Sequence, residues 1–121
     1  MKKELTKNEA LQKCRDMWNE IAVITEEEKY CLTKEEYFSR KGIPDDDIPL
    51  VRCYCCEYSL QTNGDCSNCP LNFPKNPYIP GCLSRYSPYH LWGEAIFNED
   101  WKSAAYYARQ IANLPENPDC K

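Results

Sequence analysis

Histidine, glycine and long apolar runs are all scarce in this chain, and each shortage removes a class of function. There is one histidine, His90, among 121 residues, so a catalytic zinc centre built on several imidazoles is excluded. The four glycines form no phosphate-cradling loop, and no known nucleophile signature accompanies the cysteines. A pairing of His90 with Cys55 or Cys82 is the nearest approach to a catalytic dyad, but His90 reads more simply as the third residue of a helix start. No segment approaches transmembrane length, and the opening MKKELTKNEALQKC lacks the apolar stretch of a secretory leader. A cytoplasmic setting with no membrane association is the expectation.

Basic residues are also scarce where a nucleic-acid surface would need them. Residues 51–97 hold only Arg52, Lys75 and Arg85, matched by Glu57, Asp65 and Glu94, and the whole chain carries a net charge of -4. Binding to a phosphate backbone depends on clustered Lys and Arg that release counterions, so the charge pattern argues against it.

Cysteine, in contrast, is abundant. Six of the nine fall between Cys53 and Cys82, and Cys53/Cys56 and Cys66/Cys69 each have the spacing C-x2-C. In such a turn both sulfurs point to one side and following backbone amides can donate to the thiolates, which suits a tetrahedral structural Zn²⁺. Cys82, after Gly81, is a fifth candidate ligand, and the spacing leaves open which four bind. Cys55 faces away from a metal held by its neighbours and reads as a small core residue. Cys14 and Cys31 read as buried thiols beside helices, and Cys120 falls in a frayed tail. A disulfide framework is disfavoured by the odd count and the missing leader. The spacing matches neither common ferredoxin run, which disfavours an iron-sulfur cluster.

Local signals place helices on both sides of this segment. Thr6-Lys7-Asn8-Glu9 is a capping box, and Leu11, Cys14, Met17, Trp18, Ile21 and Ala22 recur at three- and four-residue steps, predicting a helix from residue 7 to about 23 or slightly beyond. Trp18 is expected in the core. Thr33-Lys34-Glu35-Glu36 repeats the capping pattern and starts a short helix that stops at Gly42. Pro44 to Pro49 reads as a solvated acidic loop, its three aspartates lacking the later Gly and Glu of a calcium site. Leu50 to Cys56 has short-strand character, and Asn63-Gly64 signals a hairpin that folds the second cysteine pair onto the first. Ser87-Pro88 starts a helix to Phe97, and Asn98 is expected to cap a longer one whose Trp101, Ala104, Ala105, Ala108, Ile111 and Ala112 line one face until Pro115. The expected fold is a small α-rich α+β domain, with N- and C-terminal amphipathic helices packed around a four-cysteine zinc-knuckle segment carrying a short β-hairpin. One domain spans 1–121, divided into a helical N-terminal region over 1–42, the knuckle 50–86, the closing helices 87–115 and a tail 116–121.

From Met17 onward the chain resembles a group of small cysteine-rich proteins from phages and prophages of Gram-positive bacteria. The likeness rests on the Met17-Trp18 pair, the YCLTKEEYF stretch, the CYCCEY and CSNCPL segments, the later cysteine and the closing helix. The resemblance implies a presumed zinc site, residence in the host bacterial cytoplasm and no assigned activity. A small accessory phage protein lacking an enzyme's residues is expected to act by binding a host or defence-system protein and inhibiting it. Fifteen aromatic residues, which favour interface anchors, agree with that expectation. The alternative is a small nucleic-acid-binding, zinc-finger-like regulator, supported only by the cysteine spacing.

Overall fold

A computed structural model describes residues 6–48, 54, 71 and 87–116. Four α-helices and one 3₁₀ turn account for most of these residues: α1, Lys7–Glu28; α2, Lys34–Lys41; the 3₁₀ turn Asp45–Asp47; α3, Pro88–Phe97; and α4, Trp101–Ala112. No strand occurs among the described residues, where the sole β-type pairing is an isolated antiparallel bridge between Leu71 and Glu116. The expected α+β class is therefore corrected to a helical one. The hairpin assigned to Asn63-Gly64 lies outside the described residues. Within the segment expected as a strand, Leu50 to Cys56, the described residue Tyr54 is helical.

α1 begins as its capping box dictates. The Glu9 amide donates to Thr6 Oγ1 at 3.1 Å, and the Thr6 amide donates to Glu9 Oε1 at 3.2 Å. The helix continues five residues past Val23, because Thr25 extends the buried stripe of Ile21 and Ala22 and neither Gly nor Pro interrupts it. It stops where Lys29 adopts the left-handed conformation (φ 53°), a Schellman-like ending in which the Tyr30 amide returns to the Thr25 carbonyl at 3.2 Å. Three consecutive glutamates, Glu26 to Glu28, oppose the negative end of the helix dipole. Two of them are met by cations from other helices, Glu28 by Arg40 and Glu26 by Arg109.

α2 repeats the same devices, with a Thr33/Glu36 capping box and Gly42 in the left-handed region (φ 67°). It is tied to α1 through Glu20, which accepts from Tyr37 Oη at 2.6 Å and from Lys41 Nζ at 2.9 Å. Pro44 leads into the 3₁₀ turn, whose Asp45 and Asp47 are exposed, as expected of a solvated acidic loop.

α3 starts at Pro88 with Ser87 as its cap, as the sequence predicts. The boundary after it differs. Asn98 closes α3 rather than opening α4, its side-chain amide donating to the Glu94 carbonyl at 2.9 Å. Glu99 turns the chain at φ 56°, and Asp100 caps α4 by accepting from the Ser103 amide at 3.2 Å and the Ser103 hydroxyl at 2.6 Å.

The core forms where α1, α3 and α4 meet. α4 presents Ala104, Ala105, Ala108, Ile111 and Ala112, all buried, and packs against both α1 and α3. The small alanine face permits close approach of the α1 stripe Ala10, Cys14, Met17, Trp18, Ile21 and Ala22. Trp18, only 3% exposed, bridges to α3 by edge-to-face contacts with Trp92 at 4.8 Å and Tyr89 at 5.9 Å between ring centroids. Arg15 Nη2 donates to the Leu114 carbonyl at 2.8 Å and fastens the far end of the α1–α4 pair. Among the described residues the helices close on one another, with Leu71 included in the core and Tyr54 packed against it. No described helix is long and apolar enough to cross a membrane.

Candidate functional site

The five cysteines predicted as metal ligands, Cys53, Cys56, Cys66, Cys69 and Cys82, all lie outside the described residues, as does Cys55. Two described residues mark where their segment joins the core. Tyr54, next to Cys53, is half-buried, with its ring 6.0 Å from Phe38 and 5.5 Å from Lys13 Nζ. Burial, followed by the charges of Asp47, Cys14 and Glu20, raises its phenol pKa. Leu71, two residues after Cys69, is 1% exposed and belongs to the main core cluster.

Two cysteines, Cys14 and Cys31, are among the described residues. Cys14 is buried in the α1 stripe. Cys31 is partly buried with its Sγ 4.0 Å from the Ala95 carbonyl oxygen, and burial, followed by the carboxylates of Asp100 and Glu99, pushes its pKa up. A raised pKa leaves less thiolate, the opposite of what activates a nucleophile. Among the described residues no three His, Cys, Asp or Glu side chains converge as a metal site.

His90 is the third residue of α3, as the sequence reading has it, and its Nε2 lies 3.1 Å from Glu94 Oε1 one turn on. Both side chains face solvent. They belong to an open hollow on α3 lined by Tyr89, His90, Trp92, Gly93, Glu94, Phe97 and Asn98. Beneath it, Tyr89 stacks on Trp92 at 5.9 Å, and Lys34 Nζ donates to Tyr89 Oη at 2.6 Å while lying 4.6 Å from that ring's centroid. α3 buries Pro88, Trp92 and Ala95 on its inner stripe. Phe97 falls off that stripe, three residues past Glu94 and four past Gly93, and is 87% exposed.

Motif reading does not single out Phe97. Its signal is positional: an aromatic ring spaced in register with the polar residues of its helix, not with the apolar ones. Tyr106 on α4 and Tyr30 after α1 are the other exposed aromatic rings among the described residues, at 58% and 46%. The chain matches no protein-family model, no curated protein and no solved structure.

Proposed function

We propose that this chain is a non-enzymatic, zinc-stabilised phage accessory protein that binds a protein partner and inhibits a host process or a bacterial immune system. The observation that supports binding is Phe97, a ring 87% exposed on a capped helix that is packed into the core. Burying a phenyl ring yields about 2 kcal/mol, and presenting it on a fixed helix keeps the entropy lost on docking small.

Zinc enters the reading through the chemistry of the donor set. Cys53, Cys56, Cys66 and Cys69 would hold it, with Cys82 as the fifth candidate, and when bound it supplies a closed four-sulfur cross-link with no open position for substrate. Tyr54 and Leu71, packed at either end of the first four cysteines, would carry that cross-link's restraint into the helical core.

The test is a tagged pull-down from bacterial lysate, with and without phage infection, coupled to native mass spectrometry. The expected result is one zinc per chain and a stoichiometric protein partner. Recovery of no partner under any of these conditions overturns the binding role. Metal-free, reduced protein that stays cooperatively folded in chelator overturns the zinc assignment separately.

A further inference from the structure

We propose that the end of the bundle where α1 and α3 terminate docks a basic peptide segment of the partner, with an apolar side chain against Phe97 and flanking Lys or Arg residues against the carboxylates at the same end. The inference rests on the protein-binding function above and narrows the chemistry of its partner.

Charge complementarity selects the occupant. α1 and α3 both end here, and neither carries a basic residue in its last turn. Each helix C-terminus is equivalent to roughly half a negative charge, and the N-terminus of α4, which starts at this same end, offsets one of the two. The net charge here is therefore set by the carboxylates. The two ends lie together, since Cys31, three residues beyond α1, places its Sγ 4.0 Å from the Ala95 carbonyl in the last turn of α3. Asp100 and Glu99 act electrostatically on that same thiol, which puts the α3–α4 turn at this end as well. Arg40 and Arg109 are engaged by Glu28 and Glu26. The other cations near this end, Lys29, Lys102 and Lys34, whose ammonium meets Tyr89, are outnumbered by the exposed Glu27, Glu94, Glu99 and Asp100.

Apolar rings stand at the same end, and Glu94 lines the hollow together with Phe97. Phe97 stands beside Gly93, which has no side chain to cover the ring, and Tyr30 adds a second exposed aromatic one residue from Cys31. A nucleic acid or an anionic membrane would meet like charge at this surface. So would a second copy of the chain, whose net charge is -4. A Lys- or Arg-flanked apolar anchor satisfies both the ring and the carboxylates.

The experiment screens the full chain, reduced and as purified, with a random-peptide display library. Enriched peptides are then measured against wild type, Phe97→Ala and the double variant Glu94→Gln/Glu99→Gln. Expected are sequences with Lys or Arg flanking Phe, Leu or Trp, binding about tenfold more weakly to Phe97→Ala and several-fold more weakly to the double variant. Wild-type binding should weaken as salt is raised. Because all three positions are exposed, urea midpoints should match wild type, so lost binding is not lost folding. No enrichment, enrichment without basic bias, equal binding by Phe97→Ala, or a wild-type dimer that Phe97→Ala dissociates overturns the proposal. A lysate partner captured equally by wild type and Phe97→Ala keeps the protein-binding function and removes this surface from it. Peptide binding as expected, with no lysate partner under any condition, leaves the surface and refutes the proposed function.

Discussion

Replacing Trp18 with alanine tests whether one side chain joins α1 to α3. The indole is 3% exposed and meets Trp92 and Tyr89 edge-on, at 4.8 and 5.9 Å. Truncating a buried Trp typically costs about 3–5 kcal/mol, with edge-to-face pairs adding about 1 kcal/mol each where neighbours cannot close in. Collapse is restricted here, because α1 is already held close to α4 by the alanine face and cannot shift toward α3 without opening that contact. We therefore expect a loss of about 4 kcal/mol, against a total of roughly 6–18 kcal/mol for a chain of 121 residues. Urea unfolding followed by far-ultraviolet circular dichroism would show the midpoint falling sharply while the slope stays that of wild type. Tyr106→Ala, which truncates an exposed aromatic, should change stability in the same assay by less than about 0.5 kcal/mol. A Trp18→Ala loss below about 1 kcal/mol would refute the core assignment, because the cavity argument leaves no route to so small a value.

Two glycines should respond with opposite signs to the same substitution. Gly42→Ala meets no atom within 4 Å but forces a side chain into the left-handed region at φ 67°, so about 1 kcal/mol should be lost. Gly93→Ala also meets open space, yet lies inside α3, where alanine should add roughly 0.5–1 kcal/mol. Thermal melts that move in the same direction for both would contradict the backbone assignment. The pH dependence of Glu20 offers another check. Burial alone would raise its pKa, but the hydroxyl of Tyr37 and the ammonium of Lys41 outweigh burial and hold it below the ordinary value. A lowered carboxylate pKa contributes stability that is present above the unfolded value, about 4.3, and lost as pH falls through the folded one. Tyr37→Phe should therefore move the Glu20 titration, followed by carboxyl carbon NMR, toward higher pH, and an unmoved titration would show that the 2.6 Å hydrogen bond does not form in solution.

Helix starts were legible because capping is local chemistry. Thr6 with Glu9, Thr33 with Glu36, and Ser87 before Pro88 each satisfy orphan amides with side chains three residues apart or less, so spacing alone predicts them. Ends and ambiguous caps were harder. Asn98 and Asp100 are both good capping residues, and the three-dimensional turn at Glu99 decides that the first closes α3 while the second opens α4. Thr25 reads as polar in the sequence yet is completely buried, which is why the apolar stripe of α1 ends too early when judged from composition. Tyr54 has the aromatic, half-buried character of a strand residue, but contact with Phe38 accompanies a helical backbone.

The cysteine spacing and the exposed ring answer different physical questions. Two C-x2-C pairs propose a donor set, a reading that depends on a handful of neighbouring residues and needs no fold. Whether a ring is exposed or a core residue depends on what the rest of the chain places over it: Trp92 leaves α3 on its buried stripe and Phe97, at the helix end, leaves it toward solvent. The cysteine segment joins the described fold at Tyr54, against Phe38, and at Leu71, bridged to Glu116. Those contacts belong to the core and to the chain beyond α4, whereas Phe97 stands on the solvent face of α3. Loss of the proposed zinc should consequently be felt first around Phe38 and Glu116, and a binding defect caused by chelation would imply that the proposed docking surface reaches beyond α3.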